Sequence, residues 1–283
     1  MSETDHVRYA MRVVAQIFVV NVEAMKARPH AVRTAATVRL ATEGDYEEGA
    51  TLLTRAFAND PAMNWWGGAK KETAVTNFNK LDTGMKKTME NLRRFQSCVV
   101  HATINAGGII TLALVPKSGE EGERIVAVAL WMTPGKTFDL PFSTLIKSGA
   151  FSVLMGWGVR GLKRFFVDFT PHVEESLHKS FKSRNLDRLD SWHLLETVVD
   201  PDWEGKGFCS LLMKDGYSRA SPKPIHLEAT TPKSKDISSL RIDSEHIFGK
   251  GQVDEAGHAA KGAAATGYPE WVMTKYDTRK TYN

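Results

Sequence analysis

The stretch from His193 to Lys214 constrains this chain more than any other. It holds a short apolar run, two glycines one residue apart, and the opening of an amphipathic helix. Leu194 to Val199 is largely apolar and β-branched at its end, and Asp200-Pro201 stops it, so it reads as a buried strand. Gly205 and Gly207 admit backbone conformations that a Cβ forbids and let a ligand come close to the main chain. Leu211, Leu212, Met213 and Tyr217 then mark one face of a helix. A strand that feeds a glycine turn at a helix N-terminus presents unpaired N–H groups suited to a phosphate. The first expectation is therefore a pyrophosphate-bearing cofactor. The common nucleotide loops do not fit, because Phe208-Cys209 stands where a P-loop requires Lys followed by Ser or Thr. The dinucleotide fingerprint requires a third glycine that is missing here.

The turn Glu204-Gly-Lys-Gly-Phe-Cys209 resembles the acyl-CoA-binding turn of the GCN5-related N-acetyltransferase family, Gln/Arg-x-x-Gly-x-Gly/Ala. Gly207 matches the middle glycine, while Glu204 replaces the first Gln or Arg and Cys209 replaces the last Gly or Ala. Three further stretches carry the resemblance in the same order along the chain. Val38 to Asp45 with Leu53 to Pro61 is similar to the family's first strand and helix, and the ending Ala56-Phe-Ala-Asn-Asp-Pro61 resembles a fungal branch. Ile125 to Gly135 is similar to the third strand, and Ile225 to Thr230 to the fifth. The resemblance implies a mixed α/β, three-layer fold. Its central, mostly antiparallel, twisted sheet is splayed between strands 4 and 5, with helices on both faces. It places one domain over residues 37–283, with a helical insertion at about 136–190, after an N-terminal extension of residues 1–36 that is helical or disordered.

Composition agrees with a single soluble globular domain: 42% of residues are hydrophobic, 25% are charged, and no linker-like tract or repeat divides the chain. A net charge of +4 over 283 residues gives little electrostatic support for nucleic-acid binding. Cys98 and Cys209 provide no disulfide framework and suit a reducing compartment, the cytoplasm or nucleus. Val7 to Val22 is too short and too charged to span a bilayer and lacks a signal-peptide cleavage site. Arg8, Arg12, Arg28 and Arg33 would suit a mitochondrial presequence, against which Glu3, Asp5 and Glu23 stand.

Elsewhere the spacing predicts a strand over 38–41 and a helix over 46–58 capped by Asp45, which Asn59-Asp-Pro61 ends. Val75, Phe78, Leu81, Met85, Met89, Leu92 and Phe95 predict a helix within 72–95. Residues 109–115 and 125–132 read as a hairpin. Residues 140–169 are helical, with Lys147, Arg160, Lys163 and Arg164 as a basic side. That region covers one face of the sheet where the acceptor would enter, or forms a membrane-surface element. Residues 232–245 and 250–267 read as loops, and 271–276 as a last strand.

The resemblance implies transfer of an acetyl group from acetyl-CoA, with no metal, to a primary amine of a small molecule or an exposed amino group. The amine attacks directly in a ternary complex. Backbone groups of Thr197, Val198 and Val199 would meet the pantetheine arm, and the N–H of Val198 or Val199 would polarise the thioester carbonyl. The amides of Gly205, Lys206, Gly207, Phe208, Cys209 and Ser210 would receive the pyrophosphate, with Lys206 free to pair with a phosphate. Glu196, set in an apolar strand that raises its pKa, is the first choice of base, followed by Glu228 and His193. Cys209 at the helix start is expected to have a lowered pKa. The family's Tyr-Glu-x-Leu-Gly-Phe stretch, whose Tyr protonates the leaving thiolate, has as its nearest counterpart Ser244-Glu-His-Ile-Phe-Gly249. Glu204, Cys209 and Ser244 keep a second reading open, a catalytically degenerate acyl-CoA-binding relative. A membrane- or partner-binding module is the third. Oligomeric state and acceptor identity are open.

Overall fold

The computed structural model describes residues 19–20, 36–73, 81–117, 121–137, 140–237 and 240–276. Its centre is the pair β3 (Ile109–Pro116) and β4 (Glu123–Met132), whose residues are apolar on both faces and so must be covered on both. Leu112, Leu114, Val128 and Leu130 face one core, while Ala113, Ala127, Ala129 and Trp131 face the other. The first core is covered by α1 (Tyr46–Ala56), α2 (Pro61–Gly67), α3 (Thr83–Asn105), α5 (Ala150–Lys163) and α6 (Thr170–Lys182). A short helix, α4 (Phe142–Lys147), precedes α5, and a π-helical turn over Arg164–Phe169 joins α5 to α6. The second core is covered by α7 (Phe208–Ala220). Gly216 lets α7 settle onto the sheet: a Cβ there would stand 2.2 Å from Cζ2 of Trp131. The result is a mixed α/β molecule in three layers, as the sequence implied.

The sheet is completed by β2 (Thr37–Leu40), β5 (Trp192–Val199), β6 (Ile225–Ala229), β7 (Arg241–Phe248) and β8 (Tyr268–Lys275), in the order β2-β3-β4-β5-β6-β8-β7. Every neighbouring pair on this path is antiparallel except β5 and β6, which are parallel and touch only at Trp192–Ile225 and His193–His226. Beyond those two rungs the strands part. Into this gap comes β1 (Val19–Val20), which pairs in parallel with Glu228 and Ala229 of β6. A bulge at Leu195 interrupts the β4–β5 ladder, since Leu130 opposes Glu196 and Trp131 opposes Leu194.

Several elements differ from the sequence reading. The helix expected within 72–95 begins at Thr83 and runs to Asn105, with Val75 and Phe78 outside the described residues. Residues 232–245, read as a loop, form α8 (Pro232–Ile237) and the edge strand β7. Asp45 does not cap α1 through its side chain. It closes a capping box with Thr42 and pairs with Arg39 at 2.7 Å, which holds its carboxyl well below the usual range. Asp60, read as part of a helix breaker, caps α2 with Pro61 in the first turn. Arg164 does not belong to the basic face of the insertion: it is buried and donates to the Trp65 carbonyl. Of the N-terminal extension only Val19–Val20 and Ala36 are described. The remaining residues of that expectation lie outside the described residues.

Candidate active site

The gap between β5 and β6 leads directly to the glycine turn. Asp200 N–H donates to the Val126 carbonyl at 2.8 Å, so strand alternation points the N–H of Val198 into the β4 ladder and those of Val199 and Thr197 into the gap. Of the two N–H groups expected to polarise the thioester, that of Val198 is thus turned toward β4 and that of Val199 toward the gap. After β5 the chain turns through Pro201–Trp203. Gly205 and Gly207 both adopt left-handed conformations, with φ of +73° and +85°, and Gly207 is the N-cap of α7. The N–H groups of Phe208, Cys209 and Ser210 form the first turn of α7 and have no carbonyl four residues earlier within the helix to bond.

Side chains fix this turn from outside. Arg55 of α1 donates to Asp200 at 2.7 Å and to Asp202 at 2.9 Å. Asp200 in turn accepts from the Asp202 N–H. Lys206 lies over the Trp203 ring, 4.2 Å from its centroid, and donates to the Asp202 carbonyl. The cation beside Glu204 is Lys233, at 3.9 Å. Cys209 is fully buried, and burial pushes its thiol up to about 12, opposite to the lowered pKa expected at a helix start. Phe208 is buried likewise, so both act in packing while their amides line the turn.

At the closed end of the gap, where β5 and β6 still touch, His193 Nε2 donates to Glu228 Oε2 at 2.9 Å, and both side chains are buried. The His193 ring stacks on that of His226 at 4.2 Å. Ser191 donates to the Arg188 carbonyl, so its oxygen receives the Nδ1 proton of His226 at 3.0 Å. Burial, with His193 and Arg188 nearby, pushes the pKa of His226 far below its ordinary value, which keeps it neutral. The carboxylate fixes the tautomer of His193, leaving Nδ1 with the basic lone pair. His193 lines a small cavity with Lys136, Arg188 and Ser191.

Glu196 is on the same strand but outside this dyad. It is fully buried, and among the described residues neither carboxylate oxygen makes a hydrogen bond of good geometry. Burial pushes its pKa well up, Asp60 adds to the rise, and Gln96 of α3 offsets part of it. Glu270 of β8 is buried and, among the described residues, without a hydrogen-bond partner; its pKa is raised by burial and by the nearby Glu228 and Asp60. Asp60 accepts from Thr230 at 2.6 Å and from the N–H of Ala62 and Met63, and burial still lifts it to about 6. Four carboxyl groups thus share one buried region with a single histidine bonded to one of them. Sequence reasoning reached Glu196, Glu228 and His193 but missed Arg55, Asp60, His226 and Glu270. Only the Asp-Pro pair at 60–61 marked any of these four in the sequence. Ser244, at the position of the missing Tyr, lies on β7, and its buried hydroxyl has no hydrogen-bond partner among the described residues.

No family model matches the chain, and no curated protein sequence does. Solved structures similar to it include one described as histone acetyltransferase HPA2 and related acetyltransferase from Corynebacterium glutamicum. That structure is 21% identical, with 88% of this chain and 99% of that chain covered and a TM-score of 0.49. A mosquito arylalkylamine N-acetyltransferase like 5b is 13% identical over 85% of this chain and 99% of its own, with a TM-score of 0.44. An agmatine N-acetyltransferase is 12% identical over 86% and 99%, also with a TM-score of 0.44.

Proposed function

We propose that this chain is a GCN5-related N-acetyltransferase that moves an acetyl group from acetyl-CoA to a primary amine. The observation that carries the reading is the gap between β5 and β6, which opens onto a left-handed double-glycine turn at the N-terminus of α7. Thr197 and Val199 N–H groups pointing into the gap would hold the pantetheine arm and polarise the thioester carbonyl, stabilising charge that develops on its oxygen. The turn from Gly205 to Ser210 would receive the pyrophosphate through its amides. His193 would accept the amine proton at Nδ1, directly or through one water, and Glu228 would stabilise the imidazolium that forms. The nitrogen then bonds to the carbonyl carbon and the carbon–sulfur bond breaks. The thiolate takes up a proton from His193 or solvent.

Isothermal titration of the full chain with acetyl-CoA tests the donor site. Micromolar binding is expected in the parent and should be lost in Gly207→Trp, whose far-UV spectrum should match the parent's. A folded parent that does not bind refutes the reading. A second reading, an acyl-CoA-binding relative without turnover, draws on Glu204 at the turn and on Ser244 where the Tyr would stand. It predicts binding with no release of free thiol across a panel of small primary amines, whereas the first predicts release.

A further inference from the structure

Among the described residues, six of the ten large hydrophobic side chains that stand exposed fall between residues 142 and 167. Phe142 is 60% exposed, Phe151 58%, Met155 66% and Val159 77%. Phe142, Ile146 and Phe151 surround the mouth of one apolar cavity of about 270 Å³, floored by Phe95, Trp157 and Phe165. Met155 follows Phe151 by one helical turn and so extends the same face of α5. These side chains therefore form a continuous apolar crest on α4 and α5, of a kind that isolated soluble domains rarely expose without a partner.

The charges beside the crest identify the partner. From Leu140 to Val167 the sequence has four basic residues and no Asp or Glu. Arg164 is buried and Lys163 meets Asp168, which leaves Lys147 and Arg160 exposed with no acidic partner among the described residues. A second copy packed crest to crest would set these cations against their own equivalents. An anionic bilayer matches both features, with apolar side chains at the acyl boundary and cations among the headgroup phosphates. No helix among the described residues is long and apolar enough to cross a membrane, so the contact would be peripheral. We propose that α4 and α5 dock this protein onto an anionic lipid surface through Phe142, Ile146, Phe151 and Met155, flanked by Lys147 and Arg160. This inference does not depend on the acetyl-transfer reading.

Co-sedimentation of the full chain with vesicles tests it. Vesicles of phosphatidylcholine mixed with phosphatidylserine should carry the protein down, and pure phosphatidylcholine should do so weakly. Raised salt should weaken the interaction. Phe151→Glu combined with Met155→Glu should lower the partition coefficient by more than about tenfold. Lys147→Gln and Arg160→Gln should each lower it by about fivefold. Leu40→Glu, at an exposed apolar residue outside the crest, should leave it unchanged, and all variants should melt with the parent. No sedimentation with the anionic vesicles overturns the proposal. Sedimentation that survives Phe151→Glu with Met155→Glu does so too. A dimer in light scattering that these substitutions dissolve would instead make the crest an interface between copies, and would also overturn it.

Discussion

At the scale of single residues, the dyad His193–Glu228 and the buried carboxyls around it make separable statements. If His193 accepts the amine proton, His193→Ala should lower kcat/KM about a hundredfold or more, as loss of a general base does. Glu228→Gln should lower kcat/KM by less, because His193 keeps its place while the imidazolium loses its stabilising carboxylate. Both variants should bind acetyl-CoA as the parent does, which titration checks. Asp60 bears on stability. Its folded pKa of about 6 lies above the ordinary 3.8, so its contribution is complete below pH 4 and is lost as the pH rises through 6. The size is roughly 3 kcal/mol by the pKa–energy relation. Asp60→Asn keeps an oxygen for the α2 N–H groups, so its melting temperature should fall less than the parent's between pH 4 and 6.5. Parallel melting curves across that range would contradict the raised carboxyl.

At the scale of elements, two contacts decide how the turn is presented. Arg55 ties α1 to Asp200 and Asp202, and it is mostly buried there. Arg55→Ala should destabilise the fold by about 2 kcal/mol and weaken acetyl-CoA binding, because the buried Asp200 would keep only the longer contact to Arg124, at 3.8 Å. Gly216 allows α7 to lie against Trp131, so Gly216→Ala should cost about 1–3 kcal/mol by overpacking, read by chemical denaturation. The strand, turn and helix from His193 to Lys214 were legible because their signals are local: an apolar run, two glycines and a helical period. The dyad was not, since His193 and Glu228 lie 35 residues apart and meet only through the β5–β6 pairing. Strand β7 was hidden by its edge position, which leaves Arg241, Ile242 and Glu245 exposed and removes any run of buried residues. The extension of α3 past Phe95 was hidden because Gln96 and Thr103 serve as core residues there although polar, and Ala102 although small.

At the scale of the whole molecule, three layers leave one opening in the sheet, and the chain's own β1 lies in it. Val19–Val20 pairs with Glu228–Ala229, and the 15 residues 21–35 link it to the domain it enters. If a ligand uses the same opening, β1 would compete with it from within the same chain, at a local concentration that does not fall on dilution. Any ligand that uses the same opening then binds with an apparent affinity reduced by the fraction of molecules whose opening is filled. A chain beginning at Ala36 should therefore bind acetyl-CoA several-fold more tightly than the full chain, on the order of 1 kcal/mol by that relation, with titration as the readout. Equal affinities would mean that donor and segment do not share the opening. Stronger binding would mean that this protein carries, in two valines, a built-in threshold that its substrate concentration has to exceed.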